Sequence, residues 1–159
     1  MWNTGCNRVA NALQDGLSIL DNENHHLAIS VASKSSADWK STIFPWCSSN
    51  TEVKSKAFVA SSTSTGKAGL YLFQNYNTNA IYWSVDLNNP WDNKQPVTKG
   101  YDTWDAREPE SDLDIFILPD RVFGVPAEDE NQTFTVVFND VKSALGVAIA
   151  IGGIVATAL

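Results

Sequence analysis

Carboxylates are the densest chemistry-bearing groups in this chain. Asp102, Asp105, Glu108, Glu110, Asp112 and Asp114 crowd one stretch, and Glu128, Asp129 and Glu130 form a second. Two carboxylates facing each other across a cleft cleave glycosidic bonds, and several oxygens converging on one point hold calcium. Asp102 to Asp114 lacks EF-hand spacing, so both stretches read as solvated acidic loops that keep the chain soluble. The two histidines, His25 and His26, are adjacent and fall at a joint between elements, where neither ligand spacing nor a shielded base is expected. Cys6 and Cys47 are too few for a structural zinc site, and they either pair or stay as buried thiols. No Gly-x-Ser-x-Gly elbow and no phosphate-cradling glycine loop occurs. The residues therefore predict a protein that is not an enzyme and uses no metal or cofactor.

The aromatics predict binding. The 159 residues include six Trp, seven Phe and four Tyr. Most belong in a core, but Trp91, Tyr101 and Trp104 lie in a long polar segment, 88–111, among Asn, Asp, Lys and Pro. Long loops inside compact domains are usually functional, and Trp and Tyr rings settle at the headgroup level of a bilayer. The same rings stack on sugars, and Asn88, Asn89, Asp92 and Asn93 around Trp91 suit hydroxyl groups. The partner is thus expected to be a membrane lipid or a glycan. A net charge of −7 excludes a nucleic-acid partner, since phosphate neutralisation needs clustered Lys and Arg. It also excludes simple electrostatic attachment to anionic lipid.

These groups need a scaffold. Val9, Leu13, Leu17 and Leu20 recur at helical spacing and predict an amphipathic helix over 6–20, with Arg8, Asn11, Gln14, Asp15 and Ser18 on its other side. From Leu27 the period becomes two. Strands are predicted at 27–31, 54–61, 69–75, 80–87 (Ile81, Trp83, Val85 and Leu87 on one face), 112–118 and 133–139. Asn75-Tyr76-Asn77-Thr78-Asn79 reads as a hairpin between two of them. The prediction is a mainly β protein: a single-domain antiparallel β-sandwich flanked by an N-terminal helix and an apolar C-terminal segment.

That segment divides the chain into 1–144 and 145–159. From Leu145 to Leu159 there is no charge, only Leu, Gly, Val, Ala, Ile and one Thr. As a helix it would span about 22 Å, short of the roughly 30 Å hydrocarbon core. It reads as a buried helix or strand, as a segment that inserts into a membrane through Leu145, Val147, Ile149, Ile151 and Ile154, or as a permanent anchor. No secretory leader is visible, so the protein is expected to be a mature secreted form or a leaderless soluble protein that acts at membranes. Asn131-Gln132-Thr133 is a glycosylation acceptor if the chain is exported.

The order of these features resembles the actinoporins, the pore-forming cytolysins of sea anemones, whose fold the fungal fruit-body lectins share. The local matches are Leu27-Ala28-Ile29-Ser30-Val31 leading to Trp39, and Tyr82-Trp83-Ser84-Val85 leading to Asn89-Pro90-Trp91, covering about a third of the chain. The resemblance implies a β-sandwich that binds a phosphocholine headgroup, docks by an aromatic loop, pierces the bilayer and assembles there as a homo-oligomer. It places Ser84 at the family's headgroup-contacting Ser, Trp91 in the aromatic loop, and Tyr101 and Trp104 at the family's Tyr cluster. Asp86 stands where the family has Pro. The family is usually basic and this chain is acidic, and its N-terminal segment is shorter and more polar. Those departures shift the expected insertion to the C-terminal segment.

Overall fold

The structure is a computed structural model, and it describes residues 3–99, 112–127, 138–139, 149–151 and 154–156. In chain order the elements are β1 (Gly5–Asn11), β2 (Leu17–Asp21), β3 (Ala28–Val31), β4 (Ser35–Ile43), β5 (Trp46–Cys47), α1 (Asn50–Lys56), β6 (Phe58–Ser62), β7 (Ala68–Asn75) and β8 (Ile81–Ser84). They continue with β9 (Gln95–Pro96), β10 (Thr98–Lys99), β11 (Leu113–Ile117), β12 (Val122–Pro126), β13 (Ile149–Ile151) and β14 (Ile154–Ala156). One sheet has the order β10-β12-β11-β1-β4, and a larger one has the order β3-β2-β6-β7-β8-β9 with β5 beside β7.

The β-sandwich expected from the alternation is present. Val9, Trp39, Ile115, Ile117 and Val122 of the smaller sheet pack into one core with Leu17, Ile19, Phe58, Leu70, Leu72 and Trp83 of the larger. Strands with one face on a core and one outward produce this period of two. Most neighbours run antiparallel, while β1 beside β11, β10 beside β12 and β5 beside β7 run parallel. Each sheet also buries part of its outer face. Ala10, Phe116, Phe123 and Val125 gather with Phe138 on the smaller one. Cys47, Val53, Tyr71 and Phe73 gather on the larger one.

The predicted helix over 6–20 does not exist: residues 5–11 and 17–21 are β1 and β2. A bulge between Cys6 and Arg8 shifts the phase of β1 and hides its alternation. Asn11 turns the chain into the next strand, and Leu17 and Ile19 then point inward at period two. The leucine spacing that mimicked a helical face is the sum of these two strands and the turn between them. The strand predicted at 54–61 is half right. Its first part belongs to α1, whose N-terminal Ser49 accepts a hydrogen bond from the Glu52 amide at 3.1 Å. Such a Ser-x-x-Glu start is a helix signal. The predicted strand 80–87 ends at Ser84. Residues 133–137 of the strand predicted at 133–139 lie outside the described residues, while Phe138 and Asn139 are helical.

In the C-terminal segment, Ile149–Ile151 and Ile154–Ala156 pair antiparallel, with Ile151 opposite Ile154. Two glycines separate them in the chain, a pair suited to two-residue hairpins. The described part of this segment is therefore strand and not helix. The boundary placed between 144 and 145 and the residues Leu145 and Val147 lie outside the described residues. Among the described residues no helix is long and apolar enough to cross a membrane.

Cys6 and Cys47 are both buried and unpaired. Cys6 packs in the core between the sheets and Cys47 in the cluster on the larger sheet's outer face. Burial pushes both thiols upward, Cys47 to about 12, with the charge of Glu52 adding to the effect. A thiol that must stay neutral when folded stabilises the fold fully below its unfolded value of about 8.5, and this contribution is lost as pH rises toward the folded value. Native protein is thus expected to leave Ellman's reagent unreacted at pH 8, and both thiols are expected to react once guanidinium unfolds it. Absorbance at 240 nm is expected to stay flat through pH 9 and to rise only with alkaline unfolding. A thiol that reacts at once in native protein would contradict this placement.

Candidate functional site

The segment that follows β8 is built on the outer face of the larger sheet. Along β8, Ile81 and Trp83 enter the core, so Tyr82 and Ser84 face outward. Tyr82 lies beside Phe73 in register, with ring centroids 6.3 Å apart and nearly parallel planes. Trp91 folds back over this face, its ring 5.9 Å from Phe73. Lys94 Nζ sits 4.0 Å from the Trp91 ring centre and 5.6 Å from that of Tyr82. A cation over an aromatic face contributes about 0.5–1 kcal/mol at an exposed site.

Polar side chains hold the loop in this shape. Asn50, at the start of α1, accepts hydrogen bonds from the backbone amides of Trp91 at 2.8 Å and Asp92 at 3.2 Å. Its own amide donates to Asp92 Oδ2 at 3.0 Å. Asp86 is turned into its own loop: Oδ1 accepts from the amides of Asn88 and Asn89, each at 2.9 Å, and Oδ2 accepts from Asn93 Nδ2 at 2.7 Å. The Asn89 and Asn88 amides hold this carboxyl below the usual carboxylate range, so it remains charged. Short Asx turns of this kind define a loop without a hydrophobic core.

Beside these bound groups, the loop exposes aliphatic side chains. Val85 is 40% exposed and Leu87 is 38% exposed, one on each side of Asp86. On the adjoining sheet face, register places Ala28, Leu20, Val59, Tyr71 and Ser84 in one row across five strands. Leu20 and Val59 in that row are only half-buried. An apolar strip thus runs from the β3 edge to the residues where Val85 and Leu87 emerge. Among the described residues no group of three His, Cys, Asp or Glu side chains is placed to hold a metal.

The predicted site residues fare unequally. Ser84, Asp86 and Trp91 do share one loop and its root. Ser84, however, has no exposed surface, and its hydroxyl accepts from the Asp86 amide at 3.3 Å. Trp91 is half-buried, with Lys94 on its ring and Phe73 against it. A sugar could stack there only by displacing Lys94. Tyr101 and Trp104 lie outside the described residues. Val85 and Leu87 are the residues that sequence reasoning missed, because a strand continued to 87 turns both inward. The signal was present in Asp86 followed by Asn88-Asn89-Pro90, a turn-forming composition that ends the strand early. No family model matches the chain, and comparison with curated proteins and with solved structures finds no match either.

Proposed function

We propose that the protein is a membrane-active binding protein of the kind the actinoporin resemblance implies. The 85–94 loop docks at the lipid interface, and the apolar C-terminal segment inserts through Leu145, Val147, Ile149, Ile151 and Ile154. Copies gather on the bilayer as a homo-oligomer that breaches it. The observation that supports this reading is the exposure of Val85 and Leu87 on a loop whose Asp86 carboxylate is already bound to the Asn88 and Asn89 amides and the Asn93 carboxamide. These bonds lower the cost of bringing that carboxylate to an apolar interface.

Magnitudes explain why two elements are needed. Full burial of an aliphatic side chain contributes about 1.5–3 kcal/mol, and these two are already more than half covered, so together they contribute roughly 2 kcal/mol. A single myristoyl chain, itself only a marginal anchor, contributes roughly 5 kcal/mol. The loop therefore orients the protein, and the C-terminal segment supplies the remaining affinity. With a net charge of −7, binding is expected to favour zwitterionic over anionic vesicles and to strengthen on anionic ones as salt rises.

The test is leakage and co-flotation with dye-loaded vesicles of phosphatidylcholine and sphingomyelin. Micromolar protein is expected to bind and to release dye. Val85→Asp with Leu87→Asp is expected to weaken binding by about thirtyfold or more, and Ile151→Asp with Ile154→Asp to stop leakage. Vesicles that stay sealed and unbound across several lipid compositions would sink the reading.

A further inference from the structure

At the opposite end of β8 the exposed chemistry is different. The four residues of β8 span roughly 13 Å, from the root of the 85–94 loop to the hairpin that joins β7 to β8. Tyr76 stands on that hairpin and is 54% exposed. Its ring meets Trp46 at 6.2 Å between centroids, with the planes at 81°. Two rings at nearly a right angle form a corner with an aromatic wall on each side.

The corner is rigid. The Tyr76 amide donates to Cys47 O at 3.0 Å, which ties the hairpin to β5. Asn75 Oδ1 accepts from the Asn77 amide at 2.8 Å, and Asn79 takes a left-handed conformation at φ 63°, which asparagine tolerates. Trp46 Nε1 donates to Asn3 Oδ1 at 2.8 Å, fixing the indole. Leu70 and Leu72 run inward along β7, and Gln74 follows them at the same parity. Gln74 is fully buried and exchanges hydrogen bonds with Thr4, both at 3.3 Å. This polar pair lies between the apolar residues of β7 and the hairpin that carries Tyr76.

Composition narrows what fits. The segments that form the corner, residues 3–4, 44–47 and 74–80, contain no charged side chain. Within these segments a phosphate or a nucleotide finds no cationic side chain. A lipid tail would find no aliphatic wall such as Val85 and Leu87 offer. What the corner does offer is two ring surfaces, the Tyr76 hydroxyl and the exposed carboxamides of Asn3 and Asn77. Carboxamides both donate and accept, and fixed Tyr and Trp rings give contact area at low entropic cost. We propose that the Trp46–Tyr76 corner binds a neutral saccharide of β-linked glucosyl or N-acetylglucosaminyl units. Their equatorial hydroxyls leave flat C–H faces for the rings and a polar rim for Asn3 and Asn77. This site is separate from the 85–94 loop and does not depend on membrane docking.

Isothermal titration of the full chain with cellohexaose and with N-acetylchitohexaose tests the assignment. At least one is expected to bind. Tyr76→Ala is expected to weaken that binding about tenfold, while Tyr76→Phe keeps it within about threefold because the ring remains. Leu87→Ser, on the other loop, is expected to leave it unchanged. Tyr76 is exposed, so both variants should keep the wild-type melting temperature, which is measured alongside. If neither oligosaccharide binds at millimolar concentration, or if Tyr76→Ala binds as tightly as wild type, the proposal is overturned.

Discussion

Replacing Phe58 by alanine is expected to remove about 4 kcal/mol of stability, the range seen when a buried aromatic leaves a cavity. Phe58 is fully buried at the start of β6. Its ring centroid lies 4.4 Å from that of Trp39 and 5.1 Å from that of Phe44. Trp39 comes from the edge strand β4 and Phe44 from the chain that leaves it, so the trio joins the two sheets at one point. Neither neighbour can collapse into the gap. Trp39 is held by a bulge in which Lys40 and Ser41 both take left-handed backbone angles, and Phe44 is pinned by the hydrogen bond its amide donates to Thr4 O at 2.9 Å. Against a total of about 5–15 kcal/mol for a domain, this is a large fraction, and the melting temperature should fall by roughly 8–16 °C. Phe58→Leu, which keeps most of the volume, should cost about 1.5 kcal/mol or less. Equal costs for the two variants, or a cost for alanine below about 1.5 kcal/mol, would show that the three rings are not the joint between the sheets.

Strands with one face on the core were legible because burial imposes a period of two. Leu70 and Leu72 on β7, Ile81 and Trp83 on β8, and Ile115 and Ile117 on β11 all appear as alternation and all lie in the core. What misled was local. In β1 the bulge at Cys6 and Arg8 breaks the phase, and the turn after Asn11 sets Leu13 four residues from Val9, which imitates a helical turn. In α1 only Val53 is buried, so no apolar stripe marks the helix, and only its Ser49 cap and the Glu52–Lys56 pair at 2.9 Å signal it. Parallel pairing such as β1 with β11 joins strands remote in sequence and leaves no local trace.

The candidate site was legible in place more than in detail. A segment rich in Asn, Asp and Trp after a strand marked where binding surfaces form, and the loop is there. The exposure of its side chains differs from what alternation suggests. Ser84 is sealed by the loop it was expected to serve, and Trp91 is committed to Phe73 and Lys94. Val85 and Leu87, which alternation assigned to the core, are outside. The cause is one residue. Asp86, two residues after Ser84, binds the amides of Asn88 and Asn89, and the strand ends at Ser84. Side-chain-to-backbone bonds compete with strand pairing, and their outcome depends on geometry that composition does not encode.

Asn11→Ala is expected to cost about 3 kcal/mol, and it separates the two structures that the N-terminal sequence allowed. On a helix over 6–20, Asn11 would lie on the polar side, and its loss would change stability by less than about 0.5 kcal/mol. In the sandwich it is fully buried at the end of β1. Its Nδ2 donates to Asp15 O at 2.8 Å, Val31 O at 3.2 Å and Ala32 O at 3.4 Å, and its Oδ1 accepts from the Leu13 amide at 2.9 Å. One carboxamide thus closes the turn into β2 and fastens it to the end of β3. Alanine leaves several of these backbone groups buried without partners, at about 1–3 kcal/mol for each that water cannot reach. Asn11→Asp sharpens the test. Its carboxylate still accepts from Leu13, but it sets a charged oxygen against the carbonyls of Asp15 and Val31, and burial further disfavours the charge. The folded-state value of this carboxyl therefore lies above its unfolded value near 3.9. The protonated form, which can donate, stabilises the fold below that unfolded value, and the benefit is lost as pH rises. Measured by urea unfolding against wild type at each pH, Asn11→Asp should be most damaging at pH 7 and should recover toward pH 4. A constant difference across that range, or an alanine variant as stable as wild type, would return residues 6–20 to the helix that their leucines imitate.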